Sequence, residues 1–186
     1  MKQVIFSTGN DVKLREATEA CAPFDIKIIP RKLDIEEIQS HDPMKIAEHK
    51  AKTAYDLVLK PIVINDSFWE ITALNGFPGG YMRDIFEWFS PEDFINLMRG
   101  KADRSVRLTE CVIYKDSKMT KSITKEYWGE IAKQPSGIGN SFELVTAFNG
   151  MTIGEHHRLG RSAHDPKDYI WNDFAEWFSS YNSHII

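Results

Sequence analysis

Short β-branched runs alternate with longer amphipathic stretches along this chain, the pattern of a mixed α/β protein. Val4-Ile5-Phe6 reads as a strand, breaks into the hydroxyl-rich turn Ser7-Thr8-Gly9-Asn10, and gives way to a helix over Leu14–Cys21 with Lys13 on its first turn. Ile26–Pro30 predicts a second strand. Asp42-Pro43 then opens a helix running to about Leu59, because Asp caps well and Pro suits the first turn. Ile46, Ala47, Ala51, Ala54, Tyr55 and Val58 recur at helical spacing and give that helix one buried face. Pro61–Ile64 predicts a strand covered on both faces that ends at Asn65-Asp66-Ser67, with Phe68–Ile71 a separate strand. The turn-rich Leu74–Tyr81 segment follows, then two short helices near Met82–Phe89 and Pro91–Met98, the second capped by Ser90.

Ser105–Tyr114 and Ser122–Ile131 predict antiparallel strands joined through Lys115-Asp116-Ser117-Lys118. The glycine-rich loop Ser136–Asn140 precedes a short strand. Asp165-Pro166 begins the last helix, whose Tyr169, Ile170, Phe174, Trp177 and Phe178 form an aromatic face. The order is α/β with no internal repeat. At 186 residues a single domain over 1–186, with two lobes, is expected.

Composition narrows the function classes. The net charge of -4, with Lys and Arg spread along the chain, argues against a nucleic-acid footprint and leaves small anions possible through local sites. No apolar run reaches the roughly 20 residues of a membrane span, and the N-terminal stretch is too short for a signal peptide, so a cytoplasmic location is expected. The two cysteines, Cys21 and Cys111, suit reduced core positions rather than a disulfide framework or zinc ribbon.

Three constellations could carry chemistry. A strand, a polar turn and a helix start present backbone N–H groups to an anion, and Lys13 adds a full charge; the plainer alternative is that Thr8, Asn10 or Asp11 only caps the helix. Glu36, Glu37 and Asp66 follow segments that read as central strands, whose ends converge on the ligand crevice of an α/β sheet, where two carboxylates can hold magnesium and polarise water. For Glu36 and Glu37 a solvated face is the alternative. His156-His157-Arg158, with Arg161 and His164, supplies donors for phosphate or a base oxygen, or forms a surface cluster; histidines adjacent on a strand would point apart, so zinc is not expected. Trp128, Phe142 and Trp171 read first as core.

In sequence order these motifs resemble the inosine triphosphate pyrophosphatase family. Thr8-Gly9-Asn10-x-x-Lys13 is similar to its phosphate-binding opening, Glu37-x-Gln39 to its acidic motif, and the helix carrying Ala47, Lys50 and Ala51 to the helix that follows. Ile64-Asn65-Asp66-Ser67 and Ala73–Tyr81 resemble the acidic strand end and the Ala-Leu-x-Gly-x-Pro-Gly-x-Tyr loop, and His157-Arg158 the late histidine-arginine element. The resemblance implies an elongated mixed β-sheet flanked by helices, two lobes with a central substrate groove, and a homodimer. It further implies Mg2+-dependent hydrolysis of non-standard purine nucleoside triphosphates (ITP, dITP, XTP) to the monophosphate and pyrophosphate. In that reading Asp66, Glu37 and Lys13 are catalytic, and Glu37 and Asp66 bind the metal. Thr8, Gly9, Asn10, Lys13, Ser67, Phe142, His157 and Arg158 would bind substrate. The chain departs from the pattern with Asn65 in place of an acid, with Gly137-Ile138-Gly139-Asn140-Ser141-Phe142 in place of Gly-aromatic-Gly-aromatic-Asp-Pro, and without the lysine that precedes the histidine-arginine pair. A different modified nucleotide, or a catalytically weakened nucleotide-binding relative, are the alternatives those departures leave open.

Overall fold

The computed structural model describes residues 1–181; the last five residues of the expected domain lie outside the described residues. Six helices and eight strands follow the predicted mixed order: β1 Lys2–Phe6, α1 Asp11–Cys21, β2 Ile26–Pro30, α2 Pro43–Val58, β3 Ile62–Ile71, β4 Phe77–Gly79, α3 Met82–Trp88 and α4 Pro91–Leu97. After these come β5 Ser105–Lys115, β6 Thr120–Ile131, β7 Thr146–Phe148, β8 Met151–Thr152, α5 Ile153–Arg158 and α6 Ile170–Ser180. All eight strands belong to one mixed sheet in the order β2-β1-β3-β5-β6-β7-β8, with β4 beside the far end of β3.

Only β1 pairs in parallel, with β2 and β3; the rest of the sheet is antiparallel. Val4 and Phe6 of β1 and all of Ile62, Val63 and Ile64 are buried, as a strand covered on both faces requires. On one face α1 and α6 pack Ala17, Ala20, Trp171, Phe174 and Phe178 against Val4, Phe6, Val63, Val112 and Tyr114. On the other, the alanine stripe Ala47, Ala51 and Ala54 lets α2 lie close over Ile62, Ile64, Cys111 and Ile113. Past the α helices, the far ends of β3 and β5 meet α3 and α4 in a second core around Phe94 and Phe142. The turn joining β5 to β6 is pinned by Asp116, whose Oδ1 accepts from the Lys118 and Met119 amides at 2.8 Å and whose Oδ2 accepts from the Tyr114 and Tyr181 hydroxyls at 2.9 Å.

Five local expectations need correction. The strand expected to end at Asn65-Asp66-Ser67 continues without a break to Ile71, because β5 pairs with all of it from Ile62↔Lys115 to Ile71↔Val106. The polar triplet therefore sits mid-strand. Phe77–Gly79, expected as turn, forms the short strand β4 against Trp69–Ile71. The first helix starts at Asp11 rather than Leu14, since Asn10 caps it. Asp165-Pro166 opens only a single tight turn, and α6 starts at Ile170 after Tyr169 returns to an extended conformation. Trp128 is 58% exposed on the outer face of β6, beneath the Arg107 guanidinium, and is not core.

Phe142 is the anchor of the second core. It is fully buried and meets Trp69, Phe86 and Phe94 at ring-centroid distances of 5.3, 5.5 and 5.0 Å. Its substitution should act on stability: Phe142→Ala is expected to lower the unfolding free energy by about 3–5 kcal/mol, read from urea denaturation.

Candidate active site

β1 stops at Phe6, while β3 runs on past it. Beyond Val63 the edge of β3 therefore has no strand neighbour until β4 joins at Trp69. The chain leaving β1 turns across this gap: the Ser7 amide donates to the Val63 carbonyl at 3.0 Å, and the Lys13 ammonium reaches back from α1 to the Asn65 carbonyl at 3.3 Å and Ser67 Oγ at 2.9 Å. An exposed strand edge is thus closed by a cation, which keeps one further N–H for the opening.

The opening turn is ordered by its own side chains. Thr8 Oγ1 accepts from the Asn10 amide at 3.0 Å, and Asn10 Oδ1 accepts from the Val12 and Lys13 amides at 2.9 and 3.1 Å. The capping alternative is therefore what this turn displays, and the positive charge at the mouth comes from lysines. Lys32, from the loop after β2, lays its methylenes against Gly9, where an added Cβ would meet Lys32 Cε at 3.6 Å.

Side-chain alternation puts Asp66 on the opposite face of β3 from Asn65 and Ser67, toward α2. There Lys50, one turn above Ile46 and Ala47, places its ammonium 2.6 Å from Glu37 Oε1 and 3.0 Å from Asp66 Oδ2. Burial pulls the Lys50 ammonium toward neutrality, but the Asp66 charge and the hydrogen bonds to both carboxylates outweigh it and hold it above its ordinary value. Asn65 instead donates from Nδ2 to the Cys111 carbonyl at 3.2 Å. The departure at position 65 thus leaves the cluster of Glu37, Lys50 and Asp66 complete. Glu37 reaches it from an irregular segment that Gly80 holds in place: a Cβ there would fall 2.5 Å from the Ser40 carbonyl oxygen.

Ser7–Asn10, Lys13, Lys32, Glu37, Lys50, Asn65 and Asp66 enclose a pocket of about 280 Å³. Sharing Asn10, Lys13 and Asp66 with it, a cavity of about 380 Å³ extends over the α1 face of the sheet. It runs past Ser67 and Glu110 to Trp69, Leu108, Phe86 and His157. A hollow of about 650 Å³ on the far side of Glu37 is lined by Asp34, Glu36, Asp84 and Glu87 beside a single Arg83, a charge that suits no polyphosphate.

Most of the sequence-predicted residues meet here. Thr8, Gly9, Asn10, Lys13, Glu37, Asp66 and Ser67 line one continuous groove, with His157 at its far end, 3.8 Å from Glu143. Two do not belong. Phe142, expected as a substrate contact, is fully enclosed by other aromatic side chains and shapes the groove only through Trp69 and Phe86. Arg158 lies exposed at the last turn of α5, outside the groove lining, while Arg161 takes a place in it; His156 to Arg158 form a helix, not the strand their spacing was tested on.

Sequence reasoning missed Lys50 as a charge partner, Lys32, and the groove residues Glu16 and Glu110. Glu110 had a legible signal: Val106, Leu108, Val112 and Tyr114 make the inward face of β5 apolar at period two, and Glu110 is the one charge in that stripe. Burial pushes its carboxyl up to about 7, only partly offset by Lys13, while Glu16 adds to the rise. Glu16 is raised in the same way, by burial, against a hydrogen bond from Ser162 Oγ at 3.1 Å. His164, stacked on Tyr127 with centroids 4.1 Å apart, is pushed down to about 4 by burial and stays neutral.

A Ham1 family model matches residues 4–152. The chain belongs to the Ham1 family. Among curated relatives it is 32% identical over 182 residues to the dITP/XTP pyrophosphatase of Methanopyrus kandleri, covering 96% of this chain and 97% of that one. It is 27% identical over 185 residues to the dITP/XTP pyrophosphatase of Methanosarcina acetivorans, covering 97% and 99%. Family membership agrees with the resemblance to the inosine triphosphate pyrophosphatases. The fold is shared with the Ham1 proteins of Coxiella burnetii and Staphylococcus aureus, each at a TM-score of 0.72 and with 22% and 21% identity. Those superpositions cover 97% and 95% of this chain and 98% of each of theirs. They bear out the α/β architecture. Among the described residues no helix is long and apolar enough to cross a membrane.

The raised carboxyl of Glu110 has a cost to the fold with a definite sign. Its folded value lies above that of an unfolded glutamate, so the native state loses stability as pH rises from about 4.5 to 7 and bears the full penalty above that. Glu110→Gln cannot ionise. It is expected to raise the unfolding free energy by about 1–3 kcal/mol at pH 8 and by little at pH 4.5, measured by denaturant titration at both.

Proposed function

We propose that this chain hydrolyses nucleoside triphosphates at the α-phosphorus, releasing pyrophosphate and the monophosphate, with non-standard purine nucleotides such as ITP, dITP and XTP as its substrates. The observation that carries the reading is the convergence of Lys13, Lys32 and Lys50 with the carboxylates Glu37 and Asp66 on one pocket. The family and the printed activity of the relatives support it.

In this reading Thr8, Gly9 and Asn10 shape the mouth, and Lys13 and Lys32 neutralise the polyphosphate. Lys13 needs no movement to do so, because Ser67 and the Asn65 carbonyl already hold it extended. Positioning and charge neutralisation supply most of the acceleration in such displacements. Asp66 would orient and deprotonate the attacking water. Its Oδ1 accepts from the Ser67 amide at 3.1 Å and its Oδ2 from Lys50, which fixes the carboxylate plane. Lys50 would then steady the charge that develops as the proton moves.

The site fits Mg2+. Two carboxylates lie within 3.0 Å of one ammonium, close enough together for a small cation to bind both beside it. The described residues hold no group of three acidic, His or Cys ligands, so Glu37 and Asp66 would hold the ion together with waters and substrate phosphate oxygens. When bound, the ion would neutralise charge on the phosphates and lower the barrier to attack at phosphorus. A homodimer belongs to the same proposal and rests on the family resemblance.

Asp66→Asn is expected to reduce kcat for pyrophosphate release at least about 100-fold with little change in KM, measured across ITP, dITP, XTP and the ordinary triphosphates. An unchanged kcat overturns the assignment. Lys50→Met leaves the two carboxylates without their ammonium. It should lower turnover while tightening the binding of Mn2+ to the nucleotide-free protein about tenfold or more, read by electron paramagnetic resonance.

A further inference from the structure

Two of the three lysines at the mouth are held by the protein itself. Lys50 lies between Glu37 Oε1 at 2.6 Å and Asp66 Oδ2 at 3.0 Å, one ammonium against two carboxylates. Lys13 donates to the Asn65 carbonyl and to Ser67 Oγ. Lys32 lines the same pocket, is exposed, and among the described residues its ammonium has no hydrogen bond or ion pair. It is a full charge at the mouth with water as its partner.

The stem of Lys32 rests on Gly9. A Cβ added there would meet Lys32 Cε, Cδ and Cγ first, at 3.6, 3.7 and 4.0 Å, which is ordinary contact. Gly9 is not among the residues in the left-handed region, so neither the turn nor a clash with the fold demands glycine at this position. What glycine does here is keep the pocket wall flat, so that a ligand under the Lys32 ammonium can approach the main chain. The Gly9 amide has no hydrogen-bond partner among the described residues. A bare wall with a free amide and an unpaired ammonium above it suit an oxyanion.

The order of residues along the groove says which oxyanion. Asp66 and Lys13 line both the mouth pocket and the cavity beyond it, whereas Gly9 and Lys32 line the mouth alone. The cavity beyond, about 380 Å³ against about 280 Å³, carries Trp69, Met82, Phe86 and Leu108; the large apolar side chains of the mouth are Leu33 and Ile35. A nucleoside therefore suits the larger, aromatic cavity. With the attacking water at Asp66, the α-phosphorus lies at the junction. The water oxygen bonds to that phosphorus and its proton passes to Asp66, while the bond to the bridging oxygen breaks and its electron pair leaves on the pyrophosphate. The two departing phosphates then occupy the mouth, the first beside Lys13 and the terminal one beneath Lys32.

We propose that Lys32 reads the length of the phosphate chain: its ammonium, with the Gly9 amide, takes the terminal phosphate and so sets a triphosphate apart from a diphosphate. The inference rests on the pyrophosphatase reading. A terminal phosphate carries a charge of roughly −1.5 to −2 near pH 7. An ammonium with no protein partner gives up only water to meet it, and charge-assisted bonds of this kind are the strong ones. A diphosphate cut at the same α-phosphorus ends beside Lys13 and falls short of Lys32.

The test compares kcat/KM for ITP and IDP in the wild type, Lys32→Met and Lys32→Arg. Methionine keeps the apolar stem and removes the charge at an exposed position, so the fold is expected to keep its urea midpoint. In Lys32→Met the value for ITP should fall about tenfold or more beyond any fall for IDP, and in Lys32→Arg the preference for ITP should stay within about threefold of wild type. Equal losses on ITP and IDP overturn the proposal, because a general surface field acts on both. A changed ratio of ITP to ATP with an unchanged ratio of ITP to IDP also overturns it, since that places the base in the mouth. The affinities of ITP and IDP, read by calorimetry with Ca2+ in place of Mg2+, decide the matter where IDP is not turned over. Binding with the expected loss of preference but no release of pyrophosphate would refute the hydrolase reading and leave Lys32 in its role; pyrophosphate release with equal losses would do the reverse.

Discussion

The groove exists because two neighbouring strands differ in length. β1 ends at Phe6, and β3 continues for eight residues past Val63, where their pairing stops. A strand edge abandoned by its neighbour leaves unpaired carbonyls and amides, which must find partners or water. Here the partner is an amine: Lys13 crosses from the first turn of α1 to the Asn65 carbonyl. The same bond that satisfies the sheet fixes a charged side chain at a gap in it, so backbone accounting and ligand chemistry meet in one residue. Antiparallel pairing with β5 along all of β3 keeps the gap rigid, since the exposed triplet Asn65-Asp66-Ser67 is anchored along its other edge.

That triplet also distributes chemistry between the two faces of the sheet. Alternation turns Asp66 toward α2, where Lys50 and Glu37 await it, and turns Asn65 and Ser67 toward α1, where Lys13 does. Cations and carboxylates are thereby interleaved around a single strand edge rather than gathered on one surface. Each carboxylate at the mouth has an ammonium within hydrogen-bonding distance; Glu110, deeper in, is pushed up by burial, which Lys13, Lys125 and Tyr127 only partly offset.

Much of this was legible in the residues. Strand and helix periodicity located nearly every element, and Thr8–Lys13, Glu37 and Asp66 were each singled out before their meeting was visible. What sequence could not show was register. The polar triplet looked like a strand end because polar residues usually close a buried run, yet a ten-residue ladder with β5 carries the chain straight through it. Phe142 read as core from its residue type and as a substrate contact only through the family resemblance; packing with Trp69, Phe86 and Phe94 bears out the first and not the second. Local capping misled in a smaller way, since Asn10 takes up amides that a helix start would otherwise offer to an anion.

Glu110 shows how a groove residue can betray itself by violating a pattern. An apolar residue on the inner face of β5 would fit the stripe of Val106, Leu108, Val112 and Tyr114 and would stabilise the sheet at neutral pH. A carboxyl there must give up solvation to ionise, a penalty that Lys13, Lys125 and Tyr127 only partly offset. On the groove floor it costs stability that an apolar side chain would not, so packing alone does not account for it.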